Sequence, residues 1–194
     1  MDEAEVKRRP AVFRNKEDRI VLVCCVCFFL VFAFLDGPFP EADSDGYINM
    51  HLTREPGYPL FLLFCRMLPG AGALLFDGYA GLYHAVFLQS LFWAFAVYCL
   101  FPVFRELGDT LFRDAFRARL TGWCAVCFQF AVCLIHRFLS GRGAMYSNSI
   151  LSESLAMPLY LLFTVRLFGY LHGGVRRDLL LCALDALLLL TIRK

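Results

Sequence analysis

The chain reads as an all-α protein, a polytopic transmembrane bundle of about five spans with interfacial helices in its first outer loop. Three observations predict this class. Apolar residues make up 59% of the chain and charged residues only 19%, where a soluble domain carries about a quarter charged. The mean hydropathy is +0.60, and the chain holds 21 Phe. The charges collect in short breaks between long apolar runs rather than on one stripe of each run.

A helix crossing the hydrocarbon core needs roughly 20 apolar residues. The first run, residues 20–35, follows a basic tail at 1–19. It resembles a signal sequence, but Asp-Gly-Pro-Phe-Pro follows it where a small-x-small cleavage site would stand. It is therefore expected to stay as an uncleaved anchor. A polar loop runs to Pro59. The next apolar stretch, 60–68, is interrupted by Arg66 and ended by Pro69-Gly70-Ala71-Gly72. It is too short to cross and is expected to lie in the membrane interface. Further spans are predicted at 82–104, 120–139, 154–171 and 179–192. Residues 20–194 then form one membrane domain.

Lys and Arg set the orientation. Six bases precede the first span (Lys7, Arg8, Arg9, Arg14, Lys16 and Arg19). Arg105, Arg113, Arg117 and Arg119 follow the second span, and Arg176 and Arg177 follow the fourth. The alternate loops carry mainly Arg54, Arg66 and Arg142. The N-terminus is thus expected in the cytoplasm, with residues 36–59 and 140–153 outside. Arg166, near the inner boundary, is expected to snorkel.

No basic stripe with interleaved aromatics points to nucleic acid. The nine cysteines lie in apolar runs, and Cys124-x-x-Cys127 has no second pair and no His at ligand spacing. Small packing residues are the expected role, and no metal ligands are assigned.

The segment of greatest chemical interest is DGPFPEADSDGYINMHLTREPGYP at 36–59. It gathers Asp36, Glu41, Asp43, Asp45 and Glu55 against one base, Arg54. Asp43 and Tyr47 stand four apart and share a face if a helix opens at Asp43 or Ser44. Asp43 is then either a plain N-cap or a carboxylate whose basicity rises by partial desolvation at the membrane boundary. The prolines around Gly57-Tyr58 make a rigid turn into the next apolar helix. Elsewhere, Asp185 lies inside the last apolar run, where a charge is costly, and needs a polar partner or a proton. Gln89 and His84 are expected to hydrogen-bond between helices. His136-Arg137 is expected to anchor the outer interface, His51 is a candidate to line a site near Arg54, and Tyr146, Asn148 and Ser149 are expected to shape a loop.

An acidic D-S-x-x-Y motif in the first outer loop, followed by R-x-P-G-Y-P-L-F-L, resembles the GT-C membrane glycosyltransferases. Within them it is most similar to the bacterial branch related to protein O-mannosyltransferases and to the aminoarabinose transferase of lipid A. The resemblance implies a catalytic carboxylate at Asp43, with Asp45 as the alternative. It implies substrate-binding roles for Tyr47, Arg54 and Tyr58, a second acid at Glu153 and a phosphate-binding base at Arg193, with Arg142 in reserve. It also implies a sugar donor on a polyprenyl phosphate, an acceptor that is a glycan, lipid or protein, and a bacterial inner-membrane location. The resemblance fixes no cofactor and allows a divalent cation, which Glu153 would help to hold. Such enzymes are longer, and this chain corresponds to the N-terminal part of their core. The rival expectations are a non-enzymatic membrane protein that moves or scaffolds lipid intermediates through Asp185, Arg166 and Gln89, and a truncated, inactive relative.

Overall fold

The computed structural model describes residues 16–51, 53–69, 81–139 and 143–193. The tail bases Lys7, Arg8, Arg9 and Arg14, the break at Gly70-Ala71-Gly72, Arg142 and Lys194 lie outside them. Among the described residues there are seven α-helices and no strand. These are α1 (Lys16–Asp36), α2 (Ser44–Ile48), α3 (Gly57–Met67), α4 (Leu82–Phe112), α5 (Ala115–Leu139), α6 (Glu153–Gly173) and α7 (Arg176–Ile192).

Four helices, α1, α4, α5 and α6, are long and apolar enough to cross a membrane. The fifth expected span, α7, has 17 residues, or about 25 Å of helix, against a core of about 30 Å. It also carries four charges and falls short of the same standard. The expected spans underestimate α4 and α5 at their basic ends. Arg, Glu and Leu are good helix formers, so the helix continues past the last apolar residue. Apolarity marks where hydrocarbon would lie; it does not mark where a helix stops.

Local chemistry explains the ends. Glu17 and Asp18 occupy the first turn of α1, where carboxylates suit the positive end of the helix dipole. Gly37 (φ +62°) ends it, its N–H donating to the Ala33 carbonyl, and Pro38 blocks continuation. Asn148 then donates its side-chain amide to the Phe32 and Gly37 carbonyls, 3.0 Å each. Only Arg113 and Asp114 separate α4 from α5, and only Gly174 and Val175 separate α6 from α7. Both pairs are therefore antiparallel hairpins.

Helix α4 is the central post, packed by α1, α5, α6 and α3. One buried cluster joins α1, α4 and α5 through Val21, Phe29, Trp93, Val97, Phe101 and Val126. A second lies towards the polar loops and holds Tyr47, Tyr58, Leu62, Leu82, Ile150, Leu155 and Ile192. Helix α7 packs on α6 and touches α3.

The two ends of the bundle differ. At the basic end, ion pairs join Asp18 to Arg105 and Glu17 to Arg119, and His172 Nε2 lies 3.7 Å from Glu106 Oε1. At the other, the loop end, residues 37–51 and 53–56 interlock with 143–152. The Phe39 N–H donates to the Asn148 carbonyl and the Ile150 N–H to the Phe39 carbonyl. The Ser44 hydroxyl donates to the Ile150 carbonyl at 2.8 Å.

Candidate functional site

Helices α2, α3, α6 and α7 all present polar groups at the loop end. The Pro56-Gly57 step starts α3 beside the end of α7. A Cβ on Gly57 would stand 2.6 Å from the Thr191 carbonyl oxygen, so glycine is what permits this approach. The approach brings residues 43–51 and 53–58 next to 152–154 and 193.

Asp43 stands at the N-cap position of α2 but makes no side-chain cap bond. Its carboxylate instead accepts a 2.5 Å hydrogen bond from Arg54 Nη2. Asp43 is 64% exposed. The desolvation expected to raise its basicity is therefore not seen, and the plain capping role is not seen either. Arg54 also lies over the Tyr47 ring, 4.9 Å from its centroid. One guanidinium thus joins the two residues that the sequence sets four apart. Its hydrogen bond to Asp43 holds the Arg54 guanidinium above its ordinary range.

The network continues inward. The buried Tyr47 hydroxyl shares a 3.0 Å hydrogen bond with Ser152 Oγ. The Ser152 hydroxyl donates to Glu153 Oε2 at 3.2 Å, and Glu153 Oε1 pairs with Arg193 Nη2 at 3.6 Å. Tyr58, fully buried, packs edge-on against Tyr47 with centroids 5.2 Å apart. Its hydroxyl accepts a 2.9 Å bond from Gln89 Nε2. Burial pushes the Tyr58 phenol well above its ordinary range, an effect that the Gln89 bond only partly offsets. Tyr58 is therefore a neutral hydrogen-bonding floor and not a base. Beneath it, the Trp93 indole N–H donates to the Ser154 carbonyl at 2.8 Å.

Six of the seven sequence-predicted site residues fall in this network: Asp43, Tyr47, Arg54, Tyr58, Glu153 and Arg193. Asp45 stands apart. It accepts from Asn49 Nδ2 at 2.6 Å and lies 3.9 Å from His51 Nε2, on an exposed edge. The His51 imidazole thus lies beside Asp45, while its carbonyl accepts the Arg54 backbone N–H at 3.0 Å. Among the described residues, no group of three or more His, Cys, Asp or Glu side chains is placed to hold a metal ion.

Four side chains have roles that the sequence analysis did not foresee. Ser152 links Tyr47 to Glu153; in sequence it looks like an ordinary residue ahead of a helix. Asp36, counted with the acids of the loop, is clamped by Arg137 through Nε at 2.9 Å and Nη2 at 2.6 Å. Arg137 is thus a partner across the bundle rather than an interface anchor alone. Arg166 does not snorkel: its Nη1 donates to Asp185 Oδ1 at 2.5 Å. Gln89 does bond to a neighbouring helix, as its type suggested.

No family model, curated protein or solved structure matches the chain.

Proposed function

We propose that the chain is the N-terminal part of a membrane glycosyltransferase acting at the extracytoplasmic face. It would move a sugar from a polyprenyl-phosphate donor to a hydroxyl of a glycan, lipid or protein acceptor. The observation that carries this reading is the continuous array Asp43–Arg54–Tyr47–Ser152–Glu153–Arg193 at one end of four apolar helices. A lipid-linked donor has its chain in the bilayer and its phosphate at the boundary, where this array would lie.

Each guanidinium in the array is matched to a carboxylate, Arg54 to Asp43 and Arg193 to Glu153. A phosphate oxyanion competes for the same donors and is bound by arginine with planar, charge-assisted bonds. Phosphate capture by Arg54 would withdraw it from Asp43 and leave that carboxylate able to accept a proton. In the reaction, the acceptor hydroxyl oxygen attacks the anomeric carbon. The bond from that carbon to the phosphate oxygen breaks, and its electron pair stays on the phosphate. The hydroxyl proton passes to Asp43, and the configuration inverts. Arg54 and Arg193 stabilise the charge that grows on the leaving phosphate.

The bases favour the same orientation. The described basic end holds Lys16, Arg19, Arg105, Arg113, Arg117, Arg119, Arg176 and Arg177, against Arg54, Arg66, Arg137 and Arg193 at the loop end. With the N-terminus inside, the location that goes with the resemblance is the bacterial inner membrane. The rival transport reading would rest on Asp185 and Arg166, but these two charges are spent on each other.

Asp43→Asn in the intact enzyme is the test. Loss of a general base costs about 10²- to 10⁴-fold in rate, while membrane insertion should be unchanged. Transfer at the wild-type rate by this variant would remove Asp43 from the role.

A further inference from the structure

We infer that Arg166 is a positioning residue: by pairing with Asp185 it holds α7 across the bilayer and so delivers Arg193 to Glu153. The inference rests on the helices being membrane spans and not on glycosyl transfer.

Helix α7 is a poor span by itself. It is short, Arg176, Arg177 and Asp178 occupy its first turn, and Asp185 sits near its middle. A lone carboxylate at mid-helix is among the costliest groups to place in hydrocarbon. Asp185 is nevertheless only 2% exposed, because it faces α6 and not the lipid. There Arg166 Nη1 donates to Asp185 Oδ1 and lies 3.4 Å from the Leu181 carbonyl oxygen. Cys182 Sγ, one turn earlier, lies 3.8 Å from the Phe163 carbonyl oxygen on the same contact line. The other end of α7 is tied down only after it has crossed. Ile192 is buried in the loop-end cluster, Thr191 abuts Gly57, and Arg193 pairs with Glu153. The dependence should be one-sided. Without Asp185, the remaining Arg166 lies two turns from the basic end of α6 and its long stem can reach water. Without Arg166, Asp185 has no such route, and its second oxygen, Oδ2, already lacks a hydrogen-bond partner.

Protease digestion of sealed inverted vesicles tests this on the full chain, with one epitope before Met1 and another after Lys194. In the wild type the first epitope is digested and the second protected. With Arg166→Leu, the protected share of the second epitope should fall roughly tenfold. It should stay at the wild-type share in Arg166→Lys, in Asp185→Leu, in Arg166→Leu/Asp185→Leu, and in the exchanged pair Arg166→Asp/Asp185→Arg. Wild-type protection in Arg166→Leu would overturn the inference. If that variant is degraded, the double leucine variant decides: recovery of protected protein supports the pairing, and continued loss overturns it. Release of the wild-type chain by alkaline extraction would overturn the membrane reading itself.

Discussion

Single side chains do most of their work here through partners distant in sequence. Arg137 and Asp36 are 101 residues apart, and the Asp36 side chain is only 3% exposed. Removing the arginine strands a buried carboxylate. Arg137→Ala should therefore destabilise the protein by about 3 kcal/mol, read as a lowered unfolding midpoint in detergent, while Arg137→Ala/Asp36→Ala recovers much of the loss. Tyr58 gives a pH signature. Its folded phenol ionises well above the ordinary value of 10.0. Below that pH both states are neutral and its contribution is complete. As pH rises past it, the unfolded phenol ionises while the buried one does not, so stability is lost. Tyr58→Phe should flatten the fall in stability above about pH 10, at the expense of about 1 kcal/mol at neutral pH for the bond to Gln89. Spacing alone singled out Asp43 and Tyr47, four apart in an acidic loop; Arg54, Glu153 and Arg193 were joined to them only by the resemblance. The roles of Ser152, Arg137 and Arg166 were not legible in sequence. A serine ahead of a helix and an arginine near a helix end each have an ordinary local explanation, and only the folded partner displaces it.

Among the elements, the Gly57 contact between α3 and α7 decides whether the site closes. A methyl group there meets backbone, which cannot swing aside as a flexible side chain can. Gly57→Ala should cost about 1–3 kcal/mol in unfolding measurements and should weaken the Glu153–Arg193 pairing, since Ile192 must back out of its cluster. Gly57→Ala with the stability of the wild type would mean that α3 and α7 are not in this register. The existence of α1, α4, α5 and α6 was readable from apolar run length alone. Their basic ends were not, since charged helix formers extend a helix without extending its apolar face. Helix α7 shows the converse. Its run looked like a span, yet length and charge leave it dependent on α6, a property that appears only once Asp185 is seen against Arg166.

For the whole molecule, charge is divided between two ends. The basic end is stapled by the buried Asp18 carboxylate on Arg105 and by more exposed contacts, Glu17 with Arg119 and Glu106 with His172, each worth little singly. The loop end carries the polar array, and there the acids Asp36, Glu41, Asp43, Asp45, Glu55 and Glu153 outnumber the described bases. The central claim is that the array stands on the extracytoplasmic side of a membrane. Cysteines placed at two exposed positions test it most directly: Ala42→Cys beside Asp43, and Thr110→Cys near the basic end of α4. The nine native cysteines all lie within helices, so the unaltered chain supplies the baseline. With a membrane-impermeant maleimide on intact cells, Ala42→Cys should label fully, and Thr110→Cys only after the membrane is opened. Labelling of Thr110→Cys from outside, with Ala42→Cys silent until permeabilisation, would contradict the account.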